Sequence, residues 1–175
     1  MSDRRDLLRW QFDLVWSLAA LHFQALTDDD THWAPAAVTW TVRRGPDGRW
    51  RPDFAETEPD PVPVPTVAWL TWHIGWWWSS AIAHAEGRTI PARTEVHWPG
   101  ATAAALTWLS ALREQWLAVL DRATDPDLDA AASYPWPVEA GLTVAHLAAW
   151  VNAELMKNAT EIGQLRMLRA AGPGR

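Results

Sequence analysis

The segment TVAWLTWHIGWWWSSAIAHAEG, residues 66–87, most constrains what this chain can fold into. It opens on a threonine after a proline and closes on Gly87, a residue suited to a left-handed cap. Nearly every position between is apolar, which reads as a helix that is apolar all round and therefore buried on all sides. The rest of the chain has to supply the helices that cover it.

Three further segments have the required pattern. From Asp3 to Leu26, apolar side chains at Leu8, Phe12, Val15, Ala19, Phe23 and Leu26 recur at steps of three and four, so they line one face of a helix that the run TDDD stops. A second such helix runs from about Thr102 to Ala123, with Leu109, Leu112, Trp116, Val119 and Leu120 on one face and Asp125 and Pro126 beyond its end. A last one starts near Thr143 and continues to about Arg169, with Arg166 and Arg169 in the turns where cations suit the helix dipole. Residues 38–54 alternate Val38, Trp40 and Val42 with polar residues, turn at Gly-Pro-Asp-Gly and return through Trp50, the pattern of a small β-hairpin. EPDPVPVP then forms a connector too stiff and too short of amide donors to be a helix or a central strand. SYPWPVEAG reads as a loop. The expected architecture is all-α: one domain spanning residues 1–175, a four-helix bundle with a small β-hairpin inserted between its first two helices.

The buried helix carries one ionisable ring. By helical spacing His73 shares a face with Trp69, Leu70, Trp76, Trp77 and Ser80 and points inward. A buried imidazole needs hydrogen-bond partners, since each unmet polar group costs on the order of 1–3 kcal/mol. The last helix offers some. Its stripe through Leu147, Trp150 and Val151 continues into Glu154, Lys157, Asn158 and Glu161 before becoming apolar again at Leu165 and Leu168. Such a row is expensive to bury unless its members pair or bind something. One reading is a divalent metal held by His73 and oxygen donors such as Glu154 and Glu161. The other is self-neutralisation: Glu154 with Lys157, Lys157 with Glu161, and His73 bonded to a carboxylate or to Asn158.

A histidine in WHIGWWW of the second helix, with a fourth helix ending in EIGQLRMLR, resembles the DinB/YfiT-like superfamily, and NAELMKNATEIGQLR is similar to an actinobacterial-type branch of it. The resemblance implies a helical bundle that often dimerises and holds zinc or nickel on three histidines, one from the second helix and two from an H-x-x-x-H on the fourth. It also implies, for some members, thiol-dependent transfer or isomerisation with mycothiol or bacillithiol, the metal holding the thiolate. His73 matches the first ligand. Counted back from Gln164, the other two positions are Lys157 and Glu161. Stripping the proton from a lysine of pKa ~10.4 at pH 7 costs about 4.6 kcal/mol, so a metal in the usual register is not expected. The ammonium of Lys157 is expected in its place, among Glu154, Glu161 and His73, with Asn158 as an orienting amide. A lone cation of this sort can orient a ligand but lacks the Lewis acidity that makes a thiolate at neutral pH.

Other candidates are weaker. Trp69, Trp72, Trp76, Trp77, Trp108, Trp116 and Trp150 fall on core stripes, whereas Trp98 and Trp136, each beside a proline, are placed for a pocket rim. His84 lies about three turns from His73, and His22, His32, His97 and His146 have no partner at ligand spacing. Asp28, Asp29 and Asp30 lack the further donors and glycine of a calcium loop. No nucleophile elbow, phosphate loop or dinucleotide fingerprint is present.

Composition removes other classes. The formal net charge is −6 and the arginines are scattered, which argues against a nucleic-acid partner. With no cysteine there is no disulfide, thiolate ligand or cysteine nucleophile. MSDRRDLLRW lacks the apolar core of a signal peptide, and no run approaches ~18 uninterrupted apolar residues, so a cytoplasmic protein without a membrane span is expected. Two functions stay open: a small-molecule-binding or transferase-like protein with its site between the second and fourth helices, or a non-catalytic homodimer whose polar row is a structural network.

Overall fold

The computed structural model describes residues 3–172. Four long helices form the bundle: α1 (Asp3–Phe23), α3 (Val67–Ala85), α4 (Thr102–Arg122) and α6 (Val144–Ala171). The second and fourth long helices are thus α3 and α6. Helix α3 is central, packed against both α4 and α6, while α1 lies along α6. It begins where Thr66 caps it, the side-chain oxygen accepting from Trp69 N, and fourteen of its residues are buried, around its whole circumference.

Gly75 explains why one residue in the middle of WHIGWWW has no side chain. A Cβ there would lie 1.9 Å from the indole of Trp108 on α4, so the glycine is the notch in which that ring sits. Gly163 plays the same part on α6 for the ring of His22.

Two places where the sequence pattern suggests a helix end also start short helices. Thr27 caps α2 (Asp28–His32) and Thr124 caps α5 (Asp125–Asp129), each in a reciprocal box with the aspartate three residues on. The Asp28–Asp30 run is therefore a helix start: Asp28 accepts from the Thr102 hydroxyl, and Asp30 accepts from Thr27 and pairs with Arg169.

The insertion is more compact than a single hairpin over residues 38–54. β2 (Val42–Arg44) and β3 (Trp50–Pro52) pair antiparallel, with Arg43 opposite Arg51. β1 (Thr39–Trp40) instead pairs in parallel with β4 (Val64–Pro65), the end of the proline-rich connector. Proline is tolerated because each strand has one partner only: Val64 N and Thr66 N donate to Val38 and Trp40, and Pro65 has no donor to place. This pairing closes the insertion over the start of α3.

Candidate functional site

On α6 the core stripe runs through Leu147, Val151, Leu155, Asn158, Ile162 and Leu165, all buried. It is rotated by about one residue from the expected stripe, because Leu155, Ala159 and Ile162 give α6 an unbroken apolar face. The polar row consequently sits at the edge of the α3–α6 seam and not in the core. Asn158 is buried, Glu154 and Glu161 are partly covered, and the side chain of Lys157 is 50% exposed.

This placement corrects the expected network. Lys157 Nζ lies 2.6 Å from Glu154 Oε2, one turn away and within reach of solvent. It has no ion pair with Glu161, which instead accepts from Asn158 Nδ2 at 2.8 Å. Asn158 Oδ1 accepts from the indole of Trp77 at 3.1 Å, so this amide ties α3 to α6 and has no free end for a ligand. His73 bonds neither a carboxylate nor Asn158, and its Nδ1 is buried without a partner.

What surrounds His73 is aromatic. Its ring stacks on Trp69, with centroids 4.9 Å and planes 13° apart, and Trp76 and Trp72 stand at 5.9 and 6.4 Å. Trp69 stacks in turn on Trp40, Trp72 stacks on Trp76, and Phe54 bridges Trp40 and Trp76. The ring nitrogens of Trp69 and Trp72 are held by the carbonyls of Asp53 and Val96. The result is a fixed shelf with one imidazole at its edge. Burial, and then the Lys157 charge, push the His73 pKa down to about 4, so the ring is neutral at pH 7.

Tyr134, the chain's single tyrosine, joins the same seam without having been expected there. It lies in the SYPWP loop, packs edge-on to Trp150 and donates to the carbonyl of Trp77 at 3.2 Å. Burial pushes its phenol up to about 12, with Glu154 adding to the shift and Ser80 opposing it, so it stays a donor at neutral pH. Its signal in the sequence is a lone tyrosine directly before Pro-Trp-Pro. The two rim candidates separate. Trp136 is half-buried and edge-on to Trp150, whereas Trp98 is core, 2% exposed, with its ring nitrogen donating to Thr71 at 3.0 Å.

The three-imidazole metal that the resemblance implies does not fit these residues. Lys157 and Glu161 stand in two of the three places, and each is engaged by a neighbour. Among the described residues no three His, Asp or Glu side chains stand at metal-ligand spacing, so His73, Glu154 and Glu161 do not form a ligand set.

Four long helices around a buried α3, with a small β-insertion before it and a histidine among the tryptophans of α3, define the class as a helical bundle. The DinB superfamily model matches residues 11–162, and the chain belongs to that family. No curated protein matches the chain. Among the described residues no helix is long and apolar enough to cross a membrane.

Proposed function

We propose that this chain is a small-molecule-binding member of the DinB superfamily in which an ion pair, Lys157 with Glu154, has replaced the metal centre. The observation that carries the reading is the neutral His73 ring, held between an aromatic shelf and an ion pair that reaches solvent. A sealed structural network would be fully bonded, and this row is neither sealed nor complete at His73 Nδ1. A cavity of about 200 Å³, lined by Val64, Pro65, Glu161, Gln164, Leu165 and Leu168, meets the polar row at Glu161. A planar ligand with a carboxylate or amide suits the surroundings: indole faces for its ring, Lys157 for its charge and His73 for a hydrogen bond. Thiol-dependent transfer is the lesser reading, because a single ammonium does not supply the Lewis acidity that holds a thiolate.

The test has two parts. Untagged protein purified without added metal is analysed by inductively coupled plasma mass spectrometry, with well under one zinc or nickel per chain expected; near one per chain overturns the ion-pair reading. A set of aromatic carboxylates and amides is then screened by ligand-observed NMR against the wild type and His73→Leu. Hits that bind both proteins alike remove the site from His73.

We also propose that the protein is a homodimer through α1, on a separate observation. Leu7, Trp10, Leu14, Leu18 and Leu21 are each between 41 and 66% exposed and lie along one face of α1. Leu7, Leu14 and Leu21 are a heptad apart, the spacing by which two copies of one helix pack against each other. A contiguous apolar stripe of this size marks an interaction surface, and a two-fold pairing presents the same stripe from both sides.

A further inference from the structure

A second cleft lies at the other end of α3, eleven residues from His73 and so about 16 Å along the helix. Its volume is about 670 Å³, within the range of small-molecule sites. One wall is aliphatic, made by Val119, Ala123, Ala131 and Val144. That wall is preformed. Ala132 N donates to Leu142 O at 2.9 Å and Val144 N to Ala130 O at 3.0 Å, and the fully buried Leu128 anchors the segment before it.

The opposite rim is rich in donors. Arg88 holds Glu86 through Nε and Nη2, at 2.8 and 2.7 Å, and Arg122 approaches the other oxygen of Glu86 through Nη2 at 3.4 Å. Among the described residues Nη1 of Arg88 and both Nε and Nη1 of Arg122 have no hydrogen-bond or ion-pair partner, and the longer Arg122 contact is the one most easily exchanged for another anion. His84 adds a third donor. Its Nε2 accepts from Ser133 N at 3.3 Å, which places the proton on Nδ1. Asp127, the other carboxylate of the cleft, is engaged through Oδ2, which accepts from Thr124 N at 2.8 Å and from its hydroxyl at 2.6 Å.

We propose that this cleft binds a small aliphatic carboxylate, its chain along the alanine and valine wall and its carboxylate on Arg88 and Arg122. Two guanidinium groups sharing one protein carboxylate leave an unmet preference for a second anion, and the wall offers an alkyl chain area without an aromatic partner. None of His73, Glu154, Lys157, Asn158 and Glu161 lines this cleft, so the two sites stand or fall separately.

Isothermal titration of the full chain with octanoate tests this, with octylammonium as the charge-reversed control. Saturable one-to-one binding of octanoate and none of octylammonium is expected. The Arg88→Ala/Arg122→Ala double variant should weaken octanoate binding by about tenfold or more, as expected for lost charge-assisted hydrogen bonds. Ala131→Phe, which fills the cleft and leaves both arginines, should do the same, while His73→Leu should leave the affinity unchanged. Both surface arginines can be removed without touching the core, so the double variant remains informative if Ala131→Phe does not fold. Absence of saturable binding, or equal binding of octanoate and octylammonium, or full affinity in the double variant, overturns the proposal.

Discussion

The imidazole of His73 lies parallel to the indole of Trp69, 4.9 Å between centroids, on the flank of the helix that fills the bundle core. This stacking, with Trp72 and Trp76 close by, removes much of the water that would hydrate a charged ring, and Lys157 repels a second positive charge. The pKa falls from its ordinary 6.5 to about 4. In the unfolded chain the ring takes up a proton below about 6.5, whereas in the folded chain it does so only below about 4. Stability is therefore lost as pH falls through that window, by roughly 3 kcal/mol in all. Urea denaturation of wild type and His73→Leu between pH 7 and 4 checks this. The stability of the wild type relative to His73→Leu should fall as pH falls, and a constant difference would show that the histidine is not held neutral.

Lys157 is the smaller cause of that shift and can be removed separately. In Lys157→Gln the ring should titrate closer to 6.5 but still below it, since burial is the larger cause. The histidine resonances, followed by NMR across pH, report this directly. An unchanged titration would place the ammonium too far from the ring to act on it. Because the lysine is half exposed, the same variant should change global stability by less than about 1 kcal/mol.

The two helical glycines should respond differently to alanine. At Gly75 a new Cβ meets the Trp108 ring at 1.9 to 2.5 Å, and the indole has to leave its notch between α3 and α4. Overpacking of this kind costs about 1–3 kcal/mol. At Gly163 the atoms met are the outer edge of the His22 ring, at 2.5 to 3.0 Å, on a partly exposed side chain that can turn away. Gly163→Ala should be near neutral, helped by alanine's better helix propensity of about 1 kcal/mol. Thermal melts of the two variants check the ranking, and equal losses would contradict it.

Residue pattern carried far in some places and failed in others for identifiable reasons. The all-round apolar character of residues 67–85 was enough to place α3 at the centre, because no other environment accepts such a helix. The three- and four-residue spacing of Leu8, Phe12, Val15, Ala19 and Phe23 likewise matched the buried face of α1. The short helices α2 and α5 were hidden because Thr-Asp runs also suit turns, and only the aspartate three residues after each threonine distinguishes a capping box. The polar row departs from its expected place for a different reason. Spacing defines a stripe to about one residue, and on α6 that single step moves Glu154, Lys157 and Glu161 from the core to its edge. The parallel pairing of β1 with β4 joins residues 25 apart through backbone atoms alone, so no side-chain pattern announces it.

The exposed face of α1 leads to the last prediction. A helix whose inner side packs on α6 carries a second apolar stripe on its outer side, from Leu7 to Leu21, and water is a poor neighbour for five such side chains. If two copies meet there, one central charge on each should separate them, since both charges would be buried in the same two-fold contact. Leu14→Glu places that charge at the midpoint of the stripe, on a residue 44% exposed, so the fold of the single chain is not threatened. Sedimentation velocity should find the wild type as a dimer of about twice 19.6 kDa and Leu14→Glu as a monomer with an unchanged helical circular dichroism spectrum. The His73 titration should be the same in both, because the stripe and the α3–α6 seam share no residue. A wild type that stays monomeric at high concentration would leave the leucine face without a second copy and remove the homodimer from the account.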